Sequence, residues 1–334
     1  MIEKYLTRWT RRARSIFITW FFVFFVIFVL SGSAFAENRW AVIIFGASGG
    51  EKYAEQMAAW RTDMRTALVD RYQFKPEFVK MFVDEAATSG DKGSAENVRK
   101  FFAELKKTSS KDDFVLVVLI GHGTYDGNVA KFNLVGPDMT AKDWTDLLTG
   151  VQGRVTLVNT TEASFPFLET LTAKGRVVIT ATDSAAQKYA TVFPEYFIKA
   201  MKEASTDLDK NGRTSIFEVF TAASAAVKQH YEQRGQLTTE RALLDDNGDG
   251  KGREATAEGP DGGVARIVYL DSETTAQSAS PELAGLIRRR RDLEQKAEEH
   301  KELKGVMPEA EWQATFEKLM LELAQVSAEI RKKS

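Results

Sequence analysis

A histidine between two glycines is the first feature of this sequence that suggests chemistry. Gly121-His122-Gly123 follows Phe114–Ile120, a run of seven apolar residues that is typical of a buried strand. Open parallel sheets carry their reactive side chains at the carboxyl ends of the strands. Because flanking glycines let another backbone approach closely, His122 is a candidate base or binding residue. The alternative is a histidine that merely occupies a turn.

The surroundings of His122 resemble the His-Gly block of caspase-like peptidases, a family that includes legumains, gingipains and caspases. Residues 120–123 (IGHG) are followed by residues 125–127 (YDG), and residues 132–138 (FNLVGPD) look like the bacterial legumain-like branch. The resemblance covers about Arg39 to His230. It implies a caspase-like α/β domain, with the peptidase cleft at His122.

The same resemblance implies where the catalytic cysteine should stand. In the family it ends the strand next to the one that carries the histidine, and legumain-type enzymes read Glu-Ala-Cys-Glu-Ser-Gly there. Residues 159–164 (NTTEAS) occupy this place, and alignment on the acidic residue puts Thr161 in the cysteine position. Ala163 and Ser164 stand where the family has a glycine.

The chain contains no cysteine, which excludes disulfides, thiolate metal ligands and a thiol nucleophile. A threonine hydroxyl in the same position needs a strong base, and that base must be oriented by a third group. No residue in the sequence pattern indicates such a group. We therefore interpret His122 and Thr161 as vestigial dyad positions of a pseudo-peptidase that binds a peptide or protein. The alternative enzyme is a hydrolase that uses Thr161 with His122.

Residues 207–218 match the twelve-residue calcium loop of an EF-hand, with Gly212 at the sharp turn in position six. The alternative is an acidic turn in which Ser215 caps the following helix. A single loop predicts weak binding, with a Kd of about 10⁻⁴–10⁻³ M. The expected Ca²⁺ ligands are Asp207, Asp209, Asn211, the Arg213 carbonyl, Ser215 and Glu218.

A second acidic loop, Asp245–Gly250, begins like an EF-hand loop. Its twelfth position would be Thr256, which cannot supply the bidentate carboxylate that calcium requires. A flexible turn built on Asn-Gly and Asp-Gly explains the same residues equally well. The sequence alone does not decide whether this loop binds a metal ion.

Apolar runs and helical stripes alternate along residues 37–271, which predicts an α/β domain. Its sheet should be mostly parallel, with helices on both faces. The expected strands are Trp40–Gly46, Phe78–Val83, Phe114–Ile120, Val155–Val158, Val177–Thr180 and an edge strand at Val264–Leu270, and the expected helices are Glu51–Tyr72, Ala95–Lys106, Phe193–Ala204 and Ser215–Gln233.

The composition changes after a linker at residues 272–281. Charged helical stretches at Glu282–Lys304 and Glu309–Lys332 flank Gly305, which predicts a helical hairpin or short coiled coil over residues 282–334. This tail suggests a third functional hypothesis, in which the chain is an assembly or scaffold protein that forms a homo-oligomer through the tail. The residues at heptad spacing are Leu286, Leu293, His300, Phe316, Leu319, Leu323 and Val326.

The first 36 residues are typical of a signal peptide. Basic residues precede the apolar stretch Ile16–Leu30, and Ala34-Phe35-Ala36 offers a cleavage site. Fifteen helical residues rise only about 22 Å, short of a roughly 30 Å hydrocarbon core. We expect export to the periplasm or medium without membrane contact after cleavage, the alternative being an anchor at residues 16–30. A net charge of −2 gives no support for a nucleic-acid partner.

Overall fold

The computed structural model describes residues 38–84, 91–271 and 281–333. The predicted signal peptide, residues 1–36, and residues 272–280 of the predicted linker lie outside these ranges. Within the described residues, no helix combines the length and the apolar character that crossing a bilayer requires.

A seven-stranded sheet forms the centre of the α/β domain. The strands are β1 (Arg39–Phe45), β2 (Val79–Val83), β3 (Asp91–Lys92), β4 (Phe114–Ile120), β8 (Arg154–Asn159), β9 (Val177–Thr180) and β10 (Leu243–Asp245). Their order in the sheet is β10-β9-β8-β4-β1-β2-β3. Neighbouring strands run parallel except β10, which runs antiparallel to β9, so the predicted mostly parallel sheet is confirmed.

Helices cover both faces of the sheet, as the alternating pattern predicts. The helices are α1 (Glu51–Thr66), α2 (Ala95–Thr108), α3 (Ala141–Leu148), α4 (Phe165–Leu171), α5 (Phe193–Lys202), α6 (Ile216–Gln233) and α7 (Gly263–Ile267). Successive side chains of a strand point to opposite faces of the sheet. Ile43 therefore joins the apolar cluster under α1, α5 and α6, whereas Ile44 joins the cluster under α2, α3 and α4.

A small antiparallel sheet directly follows His122, and its strands were not predicted. It consists of β5 (Gly123–Tyr125), β6 (Ala130–Phe132) and β7 (Met139–Thr140). The strands are two or three residues long, so they leave little periodicity in the sequence. This sheet forms one side of the region around His122.

The predicted edge strand at Val264–Leu270 is wrong. Residues 263–267 form the short helix α7, because the Asp246 carboxylate accepts hydrogen bonds from the Gly262 and Ala265 N–H groups, both at 2.8 Å. Such a carboxylate satisfies donors at a helix start. The edge of the sheet is instead β10, which lies before the acidic loop.

The C-terminal tail is a helical hairpin of α8 (Pro281–Glu302) and α9 (Glu309–Lys333). Ion pairs join it to the α/β domain, between Glu294 and Arg213 and between Arg291 and Asp112. Its apolar cluster shares no residue with the two clusters of the sheet. The members are Leu283, Ile287, Leu293, Val326 and Ile330, with Leu286, Leu319 and Leu323 packed against them.

Deletion of residues 281–334 is therefore expected to leave the α/β domain folded, since both sheet clusters remain complete. If the tail mediates assembly, the truncated chain should have a lower association state than the full chain. Sedimentation velocity measures the association state, and circular dichroism checks the fold. An unchanged association state after truncation would remove the assembly role from the tail.

Candidate functional site

His122 and Thr161 follow adjacent parallel strands at the same edge of the sheet. Strand β4 pairs with β8 in parallel, and Leu119 lies opposite Asn159. A Cβ atom built on Gly123 would lie only 2.6 Å from Thr161 Oγ1. The Thr161 hydroxyl therefore packs against the backbone of the glycine that follows His122, and a larger residue at position 123 would collide with it.

The Thr161 side chain shows none of the geometry of an activated nucleophile. The residue is 0% exposed, and Oγ1 has no hydrogen-bond partner in the described chain. A nucleophile and its base normally approach to about 2.6–3.2 Å. The Thr161 N–H donates to Asn159 Oδ1 at 3.1 Å, which holds the turn in place. The structure thus brings the two predicted positions together without joining their side chains.

His122 is paired with Glu162 and not with Thr161. Its Nδ1 lies 3.4 Å from Glu162 Oε1, and the Tyr53 ring meets the imidazole edge-on at 4.7 Å between centroids. The Glu162 hydrogen bond raises the pKa of His122, against the opposing effect of burial; the Glu162 charge and the Ser48 carbonyl raise it further. The Glu162 carboxylate thus stabilises the charged form of the imidazole.

Glu162 was not among the predicted site residues. Its sequence signal is a carboxylate one residue beyond Thr161, at the end of a buried strand. The side chain is only 13% exposed, and its second oxygen, Oε2, is buried without a hydrogen-bond partner among the described residues. A buried carboxylate oxygen without a donor is costly.

Ser164 maintains the turn after β8. Its buried Oγ accepts hydrogen bonds from the N–H groups of Ala181 at 3.1 Å and Thr182 at 3.2 Å. The Thr182 hydroxyl in turn donates to the Glu162 carbonyl at 3.3 Å. These bonds tie the segment that carries Glu162 to the end of β9, so the position of Glu162 is set by the scaffold.

Replacing Glu162 with Gln is expected to lower the pKa of His122, because the variant loses the negative partner but keeps an acceptor oxygen. In an NMR titration of the ring C–H groups, wild-type His122 should titrate above the usual value of about 6.5. His230 is the internal control. Burial lowers its pKa, and Glu162→Gln should leave that pKa unchanged because residue 162 is not among its partners.

The raised pKa of His122 also fixes the sign of a stability effect. The His122–Glu162 pair contributes its full stability below the pKa of the unfolded state, and this contribution is lost as the pH rises through the folded pKa. Glu162→Gln should therefore destabilise the protein more at pH 5 than at pH 8. A His122 titration that the substitution leaves unmoved would contradict the pairing.

The acidic loop 207–218 brings three carboxylates together. Ligand oxygens of Asp207, Asp209 and Glu218 lie within 4.8 Å of one another. Burial raises the pKa of Asp209, and the neighbouring charges of Glu218 and Asp207 add to the rise. A divalent cation at this point would relieve that repulsion. The three residues fit the hard oxygen donor set that calcium takes.

The remaining expected ligands have other partners in this structure. Ser215 caps α6: its Oγ donates to Glu218 Oε2 at 2.8 Å and accepts from the Glu218 N–H at 3.2 Å. Glu218 Oε1 accepts from the Leu208 N–H at 2.8 Å. The Asn211 amide donates to Asp209 at 2.9 Å. These contacts belong to the capped acidic turn, and calcium binding would exchange them for metal bonds.

The Arg213 side chain points to the tail and not to the loop carboxylates. Its guanidinium contacts Glu294 of α8 and stacks over the Tyr269 ring, 3.5 Å from the centroid. Only its main-chain carbonyl is a candidate ligand. The loop is also braced by Ile216, whose N–H donates to the Val268 carbonyl at 2.9 Å.

In the second acidic loop, both Asp245 oxygens are already engaged. They accept hydrogen bonds from the Gly248 N–H at 2.9 Å and from the Gly250 N–H. The nearby Asp261 is buried, and burial raises its pKa to about 6. No carboxylate cluster of metal-binding geometry forms at this loop among the described residues. Its contacts are those of a hydrogen-bonded turn.

No protein-family model and no curated protein matches the sequence. Among solved structures, a Geobacter sulfurreducens protein from a structural genomics programme is 12% identical, over 62% of this chain and 92% of that chain, with a TM-score of 0.40. A secreted C11 cysteine protease from Bacteroides thetaiotaomicron, in complex with an irreversible peptide inhibitor, is 9% identical, over 63% and 66%, with a TM-score of 0.36. A second structure of a secreted C11 cysteine protease from that organism, "iotapain", is 8% identical, over 63% of this chain and 66% of that chain, with a TM-score of 0.37. Similarities at this level define neither a family nor an activity.

Proposed function

We propose that this chain is an exported caspase/legumain-like pseudo-peptidase, whose cleft at His122 binds a peptide or protein partner without cleaving it. The observation that carries the proposal is the state of the two dyad positions. Thr161 Oγ1 is buried and has no hydrogen-bond partner among the described residues, whereas the His122 ring is hydrogen-bonded to Glu162. Acyl transfer needs a nucleophile in contact with a base that can accept its proton.

The same cleft has features that suit an extended peptide. It lies at the carboxyl ends of the parallel strands, where α/β sheets bind their ligands. The His122 side chain is 22% exposed, so a ligand can reach it. When protonated, the imidazole can donate a hydrogen bond to a peptide carbonyl.

A hydrolase that uses Thr161 with His122 is the second candidate, and one observation favours it. Glu162 contacts Nδ1 of the imidazole, where the carboxylate of a Ser-His-Asp triad orients its histidine. Glu162 is thus a third group of the kind that a threonine nucleophile requires. The position of Thr161 argues against hydrolysis, because its hydroxyl is enclosed beside Gly123 and a substrate carbonyl cannot approach it.

Peptide binding followed by mass analysis tests the proposal. The purified full chain is incubated with a library of extended peptides, and bound peptides are eluted and weighed. We expect a bound subset with unchanged masses. Glu162→Gln should weaken binding by about 10-fold, because it removes the carboxylate that favours the charged form of His122. A hydrogen bond from a charged group contributes about 1.5–3 kcal/mol.

The control variant is Glu169→Gln, the same change at an exposed position of α4, and it should bind like the wild type. A library that yields no bound peptide, or only cleaved ones, would contradict the proposal.

A further inference from the structure

A cavity of about 260 Å³ opens beside the cleft, between β1, α1 and β2. Most of its lining is apolar. Small-molecule pockets usually measure about 300–1,000 Å³, so this cavity is of a size for one large side chain and not for a whole ligand. The apolar lining residues are Phe45, Ala54, Met57, Ala58 and Val83.

The cavity and the cleft share a wall. Ser48 lines the cavity, and a Cβ atom built on the next residue, Gly49, would lie 4.0 Å from the His122 ring. The Ser48 N–H and hydroxyl groups both donate to Asp84 Oδ2, at 2.9 and 2.7 Å. Helix α1 also serves both places, because Tyr53 packs on His122 while Met57 and Ala58 line the cavity. A peptide seated at His122 would therefore pass the mouth of the cavity.

We propose that this cavity is a specificity subsite, which takes a large apolar side chain such as Leu, Met or Phe from the bound peptide. The inference rests on the proposed peptide-binding function. Apolar walls gain free energy only from an apolar occupant. Arg61 also lines the cavity, and its guanidinium can donate a hydrogen bond to a carbonyl of the same peptide.

Randomised peptide display on the full chain tests this inference. Wild type should enrich a large apolar residue at one position, and replacing that residue with Ala should weaken binding about 10- to 100-fold, which is the effect of burying one such side chain. Ala58→Leu fills the cavity, so it should remove the enrichment and make binding insensitive to the peptide substitution.

The matched control is Ala59→Leu, the same change at the next, exposed position of α1, which should retain the enrichment. If Ala58→Leu does not fold, Ala58→Val and the peptide substitution on wild type carry the test. Peptides that bind without an apolar preference, or a preference that cavity filling leaves intact, would overturn the subsite alone. Absence of any peptide binding would overturn the proposed function with it.

Discussion

Calcium at about 10 mM should raise the melting temperature of the chelator-treated protein by about 3–10 °C. With a Kd of about 10⁻⁴–10⁻³ M, this concentration adds about 1.4–2.7 kcal/mol to the free energy of unfolding. A change of 1 kcal/mol corresponds to about 2–4 °C for a chain of this size class. The physical reason is that Asp207, Asp209 and Glu218 hold their oxygens within 4.8 Å, and the cation offsets their repulsion.

Glu218→Gln should abolish most of this calcium-dependent shift, because it removes the bidentate ligand and one charge. The variant also alters the cap of α6, so the shift and not the melting temperature itself is the readout. Glu232→Gln, at an exposed position of the same helix, is the matched control. Magnesium should stabilise less, since it prefers a smaller octahedral site. A melting curve that calcium leaves unchanged would reduce the loop to a capped acidic turn.

Arg213→Met should lower the free energy of unfolding by about 3 kcal/mol, or the melting temperature by about 6–12 °C. Arg213 and Glu294 are 14% and 10% exposed, so the substitution leaves a mostly buried carboxylate without its main partner. Arg290 stays 3.8 Å from Glu294, which puts the expected loss at the lower end for a broken buried pair. Thermal unfolding at several calcium concentrations measures the effect.

Two comparisons separate this effect from a general loss of charge. The double variant Arg213→Met with Glu294→Met should recover most of the lost stability, because neither partner is then buried alone. Arg289→Met breaks the exposed pair with Glu322 and should cost less than about 1 kcal/mol. The calcium-dependent shift should persist in Arg213→Met, since only the carbonyl of residue 213 is a candidate ligand. Equal losses at Arg213 and Arg289 would contradict the buried ion pair.

The central strands were predictable from the sequence because their signal is local. Phe114–Ile120 and Val177–Thr180 are continuous apolar runs, and both strands begin and end where the pattern predicts. The region after Asp245 was not predictable, because α7 depends on the Asp246 carboxylate, which caps it from 16 to 19 residues away. The spacing of apolar residues does not predict a hydrogen bond between residues so far apart in the sequence.

The site was predictable in position but not in its contacts. The family resemblance predicts His122 beside residue 161, and the structure has them at one sheet edge. The choice of Glu162 as the partner of His122 depends on side-chain directions within one turn, which spacing does not define. The tail shows the same limit: the heptads predict its helices, whereas its ion pair with Arg213 spans 81 residues of sequence.

Peptide hydrolysis by the full chain and by Thr161→Ala decides between a pseudo-peptidase and a hydrolase. We expect no cleavage above the uncatalysed rate by either protein, with or without calcium. Thr161→Cys should give at most weak cleavage, because Ala163 and Ser164 shape the turn that would have to bind an oxyanion. Cleavage by the wild type that Thr161→Ala abolishes would show that the chain is a hydrolase and not a pseudo-peptidase.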